Sequence, residues 1–82
     1  MIKVGQVYES DGFKYIITKV SARNHDVFIE HDGFIEKVYD IIWENGEVIS
    51  SLSEKVIKID ELLAEYSTWQ EAVNSPEFRG EN

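Results

Sequence analysis

The stretch that decides the fold runs Tyr39-Asp40-Ile41-Ile42-Trp43-Glu44-Asn45-Gly46-Glu47-Val48-Ile49-Ser50-Ser51-Leu52. Its centre, Asn45-Gly46, is a dipeptide favoured in two-residue type I′ hairpin loops, because both loop positions need a positive φ. A loop of that length predicts the cross-strand pairs Trp43–Val48, Ile41–Ser50 and Tyr39–Leu52. The apolar members of these pairs share one face, which we interpret as core. Glu44 and Glu47 meet beside the turn and are expected to point into water.

Two more glycine-containing turns precede this hairpin. At Asp11-Gly12, a two-residue loop predicts the favourable pairs Glu9–Lys14, Tyr8–Tyr15 and Val7–Ile16. At Asp32-Gly33, the same loop would set Ile29 against Glu36 and Phe28 against Lys37. A longer loop or a bulge is therefore expected there, and the register stays open.

The turns predict strands at residues 3–9, 13–20, 26–31, 36–44 and 47–52, with a further short strand at 56–59. Five or six short strands in a flat sheet would leave one face in water and both edges open. We therefore expect the sheet to curl into a small antiparallel barrel.

The C-terminal segment changes from strand to helix periodicity. Its apolar residues Leu62, Tyr66, Trp69 and Val73 recur at i, i+4, i+7 and i+11, one stripe of a helix. Asp60 is expected to cap its start, and Ser67 with Gln70 has the form of a capping box where a helix restarts. Pro76 should end the run.

At 82 residues the chain is expected to be one domain. Its predicted parts are a β part at 1–59, a helical segment at 60–78 packed on it, and a frayed tail at 79–82. Phe78 is expected to make a last contact.

Two motifs resemble known β-barrels. The run from Tyr39 to Glu47 is similar to the central hairpin of Tudor and SH3-like domains, and Val4-Gly5-Gln6-Val7-Tyr8 resembles their first strand. The resemblance implies a mainly β fold: a small SH3-like (KOW- or Tudor-like) barrel of five or six antiparallel strands, followed by one or two short C-terminal helices. Separately, the whole chain resembles small uncharacterised proteins encoded in phages and prophages of Gram-positive bacteria, mainly through the run from Tyr66 to Ser75. This resemblance implies a setting and no site.

Charge narrows the classes of partner. The net charge is −8; residues 1–28 hold four basic and three acidic groups, and the remaining 54 hold four basic and 13 acidic groups. Acidity of this kind opposes direct binding of nucleic acid and of anionic membranes. It serves solubility, or it recruits a basic partner. With no cysteine and no apolar run long enough for a signal peptide or a membrane span, a cytoplasmic protein is expected.

No pattern for catalysis or metal binding stands out. If residues 25–31 form one strand, His25 and His31 lie roughly 20 Å apart, too far for one ion. The serines sit in polar turns, thiols are absent, and the five glycines are dispersed. Paired catalytic carboxylates need a cleft, for which so small a barrel has little room. We therefore expect no enzyme, no metal and no cofactor.

The candidate protein-binding residues are carboxylates of the central hairpin: Glu36, Asp40, Glu44 and Glu47. The first three alternate with Val38 and Ile42, which fits a basic, partly apolar partner. In the alternative interpretation this is an outer face whose aliphatic side chains are covered by the tail helices. Exposed aromatic residues are another candidate binding surface, to which Tyr8, Tyr15 and Tyr39 could contribute. The favoured interpretation is that so small a domain needs most of its aromatic residues for the core, and Phe28, Trp43, Tyr66 and Trp69 are assigned to it.

Two functional hypotheses follow. The first is an interaction module that binds another protein, such as one of a phage's host. The second is a nucleic-acid mimic that inhibits a nuclease, restriction enzyme or polymerase. Mimicry would require the tail acids Asp60, Glu61, Glu65, Glu71 and Glu77 to join the strand row on one side.

Overall fold

A computed structural model describes residues 1–25 and 34–80, with the side chains of 24, 25 and 34 left aside. The elements are β1 (Gln6–Ser10), β2 (Phe13–His25), β3 (Phe34–Trp43), β4 (Val48–Ser53), α1 (Glu54–Ile57), β5 (Glu61–Glu65), α2 (Trp69–Val73) and α3 (Pro76–Arg79). The strands form one antiparallel sheet in the order β4-β3-β2-β1-β5. The mainly β class is confirmed, but closure into a barrel is not found within the described ranges. The predicted strand 26–31, the Asp32-Gly33 turn and Phe28 lie outside them.

The first hairpin has the predicted register. Glu9 pairs with Lys14, Tyr8 with Tyr15, and Val7 with Ile16. Asp11 has φ 51° and Gly12 has φ 85°, the positive values at both loop positions that a type I′ turn needs.

The β3–β4 hairpin differs from the prediction by one residue. Trp43 N donates to Glu47 O, and Gly46 N donates to Trp43 O, both at 2.8 Å. These bonds enclose a three-residue loop in which Gly46 has positive φ, the arrangement of a turn followed by a bulge. The predicted pairs Trp43–Val48 and Ile41–Ser50 are therefore wrong. Val48 lies opposite Ile42 and Ile49 opposite Ile41.

Two bulges flank Asp40. In β4 an extra residue falls between the partners of Ile41 and Tyr39, and Ser51 there has φ 59°; this restores the predicted Tyr39–Leu52 pair. In β2 the extra residue is Thr18, whose Oγ1 donates to Asp40 O at 3.1 Å. Bulges bend and twist the strands that contain them, so both neighbours of β3 are irregular beside Asp40. Beyond this point β2 and β3 continue together to the end of β2.

Both faces of the sheet are covered. One cluster contains Ile2, Tyr8, Tyr15, Ile17, Tyr39, Ile41 and Ile57, with Trp43, Ile49 and Leu52 packed against it. On the other face, Val7, Ile16, Ala72 and Phe78 pack with Ile42, Leu63, Ala64, Tyr66, Trp69 and Val73. Val48, predicted to be core, is 59% exposed because the longer loop shifts it out of the core face.

Residues 54–65 reverse two predictions. The short strand expected at 56–59 is instead α1, capped by Ser53, whose side chain accepts a hydrogen bond from Lys55 N. The helix expected from Asp60 is instead β5, paired with β1. A bulge in this pair adds Leu63, and both Leu63 and Ala64 pack in the second cluster. Because two consecutive apolar residues pack on one face, the sequence of β5 does not show the alternation of apolar and polar residues that is typical of a strand.

The helices at the end of the chain begin at clear caps. α2 starts at Thr68, whose Oγ1 accepts from Glu71 N at 3.1 Å, one residue after the predicted Ser67. Pro76 does not end the helical segment: it opens α3, since proline is favoured in the first helical turn. Phe78 is buried, as predicted. Arg79, expected to fray, belongs to α3.

Gly5 lies where the start of β1 meets the end of β5. Its N donates to Ile17 O at 2.9 Å, and its O accepts from Tyr66 N at 3.0 Å. Its φ is 92°, and a Cβ there would lie 2.2 Å from Tyr66 O. The contact between β1 and β5 therefore depends on a glycine at this position.

Candidate functional site

The β1–β2 and β3–β4 turns lie at the same end of the sheet, because successive antiparallel strands reverse direction. Between them lies a cavity of about 520 Å³. We call this cavity the turn groove; its lining residues are Phe13, Trp43, Glu44, Asn45 and Glu47.

Two hydrogen bonds and a ring contact hold the two sides of the turn groove together. Glu44 N donates to Lys14 O at 3.0 Å, and Lys14 N donates to Glu44 Oε1 at 3.1 Å. The ring of Trp43 packs edge-on against Tyr15, with centroids 5.0 Å apart and an interplanar angle of 62°. Trp43 is therefore anchored to the core on one side while it lines the groove.

The groove combines aromatic and acidic side chains. Phe13 is 62% exposed, although it is a large apolar residue. Glu44 and Glu47 are exposed, as predicted, and Glu47 N donates to Asn45 Oδ1 at 2.9 Å, which orders the turn. Aromatic faces attract cations through the ring quadrupole, and carboxylates add a Coulombic attraction. The arrangement is chemically suited to an ammonium or guanidinium group.

The four predicted binding carboxylates do not form one row. Glu44 and Glu47 line the turn groove, whereas Glu36 and Asp40 contact β4. Glu36 Oε2 accepts from Ser53 Oγ at 3.2 Å, and Asp40 Oδ1 accepts from Ser51 N at 3.0 Å. The bulges beside Asp40 lie between the pair Glu36 and Asp40 and the pair Glu44 and Glu47. The carboxylate of Asp40 stabilises the β4 bulge through its hydrogen bond to Ser51 N.

Of the aliphatic residues on the same face, Val38 is buried and Ile42 is partly buried. Val38 is 4% exposed, and Ile42 packs in the cluster that contains residues of α2 and α3. For Ile42 this agrees with the alternative in which the tail helices cover the outer face.

The aromatic residues that line the turn groove are Phe13 and Trp43, and not the candidate tyrosines. Tyr8, Tyr15 and Tyr39 are buried in the core, as the core interpretation expects, so the alternative in which they form a binding surface does not hold. The sequence pattern does not indicate Phe13 as a site residue, and it indicates Trp43 as a core residue only. One sequence feature indicates that Phe13 and Trp43 lie close together. An up-and-down meander places its first and third turns at the same end of the sheet, and each of these turns has an aromatic residue beside it.

A second region holds β5 in place, and we call it the β5 seam: Gly5, Gln6 and Tyr15 with their partners Asp60, Glu65 and Tyr66. Gln6 is 3% exposed, and its Nε2 donates to Glu65 Oε1 at 2.7 Å. Tyr15 OH donates to Asp60 Oδ2 at 2.5 Å. Burial, and then the hydrogen bond to Asp60, raise the pKa of Tyr15 far above its usual value.

A second cavity, of about 390 Å³, adjoins this seam between the N-terminal residues, α1 and β5. Tyr8 OH lies there and donates to Gln6 Oε1 at 2.8 Å; burial, followed by the charge of Glu65, raises the pKa of Tyr8. Nearby on the other face, Tyr66 OH donates to Glu77, which raises the pKa of Tyr66 and lowers that of Glu77. Hydrogen bonds inside the molecule therefore occupy many of the polar groups beside β5.

Residues 1–25 and 34–80 contain no group of three or more His, Asp or Glu side chains arranged to hold a metal ion. The predicted distance between His25 and His31 stays a prediction, because their side chains lie outside the part of the chain that the structure describes. None of the helices in the described part has the length and apolar character needed to cross a membrane. Comparison of the chain with protein-family models, curated proteins and solved structures finds no match.

Proposed function

We propose that the protein is a non-catalytic interaction module of phage or prophage origin, which acts in the cytoplasm and binds a basic segment of another protein. One observation carries the proposal: exposed Phe13 and partly buried Trp43 stand beside the carboxylates of Glu44 and Glu47 in the turn groove. The bound group is the side chain of a lysine or arginine.

The energetics suit a modular, reversible interaction. A cation over an aromatic ring contributes about 0.5–2 kcal/mol, depending on how much water is removed. The net charge of −8 raises the encounter rate with a basic partner. Since the Debye length is about 8 Å at physiological salt, this attraction weakens as salt increases.

We further propose that the fold is an SH3-like barrel. The supporting features are the β1–β4 meander, the single turn of helix between β4 and β5, and the return of β5 to the free edge of β1. The bulges beside Asp40 supply the bending that a small barrel needs.

Nucleic-acid mimicry is the less favoured function. Glu36 and Asp40 hydrogen-bond residues of β4, whereas Glu61 and Glu65 lie on β5, at the opposite edge of the sheet. A mimic needs closely spaced charges along one side, because duplex DNA carries about one charge per 1.7 Å of its axis.

The test uses peptides that differ in one side chain. The ¹⁵N-labelled protein is titrated with acetyl-Gly-Gly-Lys-Gly-Gly-amide, its arginine counterpart and its norleucine counterpart, which is neutral. We expect the cationic peptides to shift the indole N–H of Trp43 and the backbone amides of residues 44–47. The norleucine peptide should not, because it lacks the charge. Equal shifts with all three peptides would contradict the proposal.

A matched pair of variants tests the aromatic wall. Phe13→Ala should weaken binding of the arginine peptide by about fivefold or more, since it removes an exposed ring from the groove. Ile35→Ala is the control: Ile35 is 71% exposed but lies on β3, eight residues before Trp43. An unchanged dissociation constant for Phe13→Ala would overturn the assignment of this groove.

A further inference from the structure

One edge strand of the sheet, β4, starts directly after Glu47, which lines the turn groove. β4 is an end strand, so along the described chain its outer side has no partner strand. Trp43 and Glu47 are joined by a backbone hydrogen bond. Bonded pairs alternate with non-bonded pairs in antiparallel sheets, so Ile41 and Ile49 form the next bonded pair. The backbone N–H and C=O groups of Val48 and Ser50 therefore point away from β3.

The length of this edge is limited by the bulge. Ser51 N donates to Asp40 Oδ1 at 3.0 Å, and Ser51 O accepts from Arg23 Nη2 at 3.4 Å. Both backbone groups of Ser51 are occupied, and its positive φ interrupts the extended conformation. The open edge is the run from Val48 to Ser50, about 10 Å long.

The two end strands of the sheet differ in how their edges are protected. β5 begins and ends with a carboxylate, Glu61 and Glu65. Charged side chains on an edge strand discourage pairing with another chain. The run from Val48 to Ser50 carries no charge, and Val48 presents a side chain that is 59% exposed. The β4 edge is thus the one suited to accept a strand.

We propose that the basic partner segment binds in an extended conformation, pairs with β4 from Val48 to Ser50, and places its lysine or arginine in the turn groove. This inference rests on the function proposed above and specifies how the same site is used. Backbone hydrogen bonds supply affinity that is independent of sequence, and the groove selects the cation. The cation follows or precedes the paired residues by one or two positions, because Val48 directly follows Glu47.

Charge selects the occupant of this edge. A second copy would bring another eight negative charges to a surface that already holds Glu44 and Glu47. A basic segment instead neutralises these carboxylates. The partner is therefore a basic, β-prone stretch of a different protein.

The test compares two kinds of lysine peptide. The probes are acetyl-Lys-Gly-Thr-Val-Thr-amide and its reversed sequence, measured against acetyl-Gly-Gly-Lys-Gly-Gly-amide. We expect the tighter of the two β-prone peptides to bind at least about fivefold more strongly than the glycine peptide. It should also slow the solvent exchange of the Val48 and Ser50 amides. Ser50→Pro, which removes one outward N–H, should abolish this gain and leave the glycine peptide unaffected.

N-methylated peptides keep the test independent of how the variant folds. Methylating alternate amides of the tighter peptide should remove the gain in one of the two alternating sets and retain it in the other. Equal effects of both sets, or shifts at Trp43 without changes at Val48 and Ser50, would overturn strand pairing and leave the proposed function standing. Absence of shifts at Trp43 with every peptide would overturn the proposed function itself. Concentration-dependent shifts of Val48 and Ser50 without peptide would assign the edge to self-association.

Discussion

The turn groove and the β5 seam contain similar side chains but use them differently. In the seam, the hydroxyl of Tyr15 and the amide of Gln6 are hydrogen-bonded to carboxylates of the same chain. In the groove, Phe13 is largely exposed and Glu47 faces water. Residues of the seam should therefore determine stability, and residues of the groove should determine binding.

The strongest test of this contrast is Gly5→Ala, in the seam. Its Cβ would lie 2.2 Å from Tyr66 O, and its φ of 92° is strained for alanine. We expect a loss of about 4 kcal/mol or more in the free energy of unfolding, measured by urea denaturation. In the control, Gly12→Ala, φ is 85° but no atom lies within 4 Å. It should cost only about 1–2 kcal/mol. Equal losses in both variants would mean that the close approach to Tyr66 is unimportant.

The next largest effect is expected from Tyr15→Phe. It removes the hydrogen bond to Asp60 while keeping the buried ring. We expect the free energy of unfolding to fall by about 2 kcal/mol, as for hydrogen bonds to charged groups. Tyr39→Phe is the control, because Tyr39 is equally buried but its pKa is raised by burial and by the charge of Glu54, with no hydrogen bond among the causes. A larger loss for Tyr39→Phe would count against the importance of the seam contact.

The buried tyrosines also predict a dependence on pH. Burial raises the pKa values of Tyr8, Tyr15 and Tyr39 above the usual value of about 10. The unfolded chain then releases these protons at lower pH than the folded protein does, so stability is lost as the pH rises above about 10. The slope should reach up to about 1.4 kcal/mol per pH unit for each tyrosine. Denaturation midpoints from pH 8 to 11 measure it, and Tyr15→Phe should make it shallower.

Phe13→Ala is expected to leave stability nearly unchanged, in contrast to the substitutions in the seam. Phe13 is 62% exposed, and substitutions at such surface positions usually change the free energy of unfolding by less than about 0.5 kcal/mol. A thermal melt compared with the unmodified protein checks this. A drop of more than about 1 kcal/mol would place Phe13 in the structural core and remove the contrast between the two regions.

The smallest expected effect is a gain in stability. Glu9 and Glu61 are directly opposed across β1 and β5, and like charges in this position repel. Glu61→Gln should raise the free energy of unfolding by about 0.3 kcal/mol at low salt. The gain should disappear in 1 M NaCl, where the Debye length is about 3 Å. A loss of stability would mean that Glu61 makes a favourable contact instead.

Contacts between residues close together in the chain could be predicted from the sequence, and contacts between distant residues could not. The Asp11-Gly12 hairpin was predicted in full because the turn and its pairs are local. The Asn45-Gly46 signal identified a hairpin but not its loop length, since Gly46 also fits a three-residue loop with a bulge. β5 was missed because its partner β1 lies far away in the chain, and its bulge mixes the strand period with a helical one.

The site was predictable only in part for a related reason. The exposure of Glu44 and Glu47 follows from the turn itself. The groove also needs Phe13, which comes from a different hairpin, so it depends on tertiary structure. Strand periodicity groups Glu36 and Asp40 with Glu44 and Glu47. No sequence pattern indicates the bulges in β2 and β4 that separate the two pairs.

The pairing of β1 with β5 has a consequence for synthesis on the ribosome. Gln6 and Glu65 are 59 residues apart, which at 5–20 residues per second takes roughly 3–12 s to translate. During that interval the outer edge of β1 has no partner strand, and the nascent chain exposes an edge that other chains can join. The strands of each hairpin are synthesised close together in time, whereas the sheet is complete only after β5, residues 61–65, has been synthesised. Expression at low temperature, with slower elongation, should therefore lengthen the period in which aggregation competes with folding.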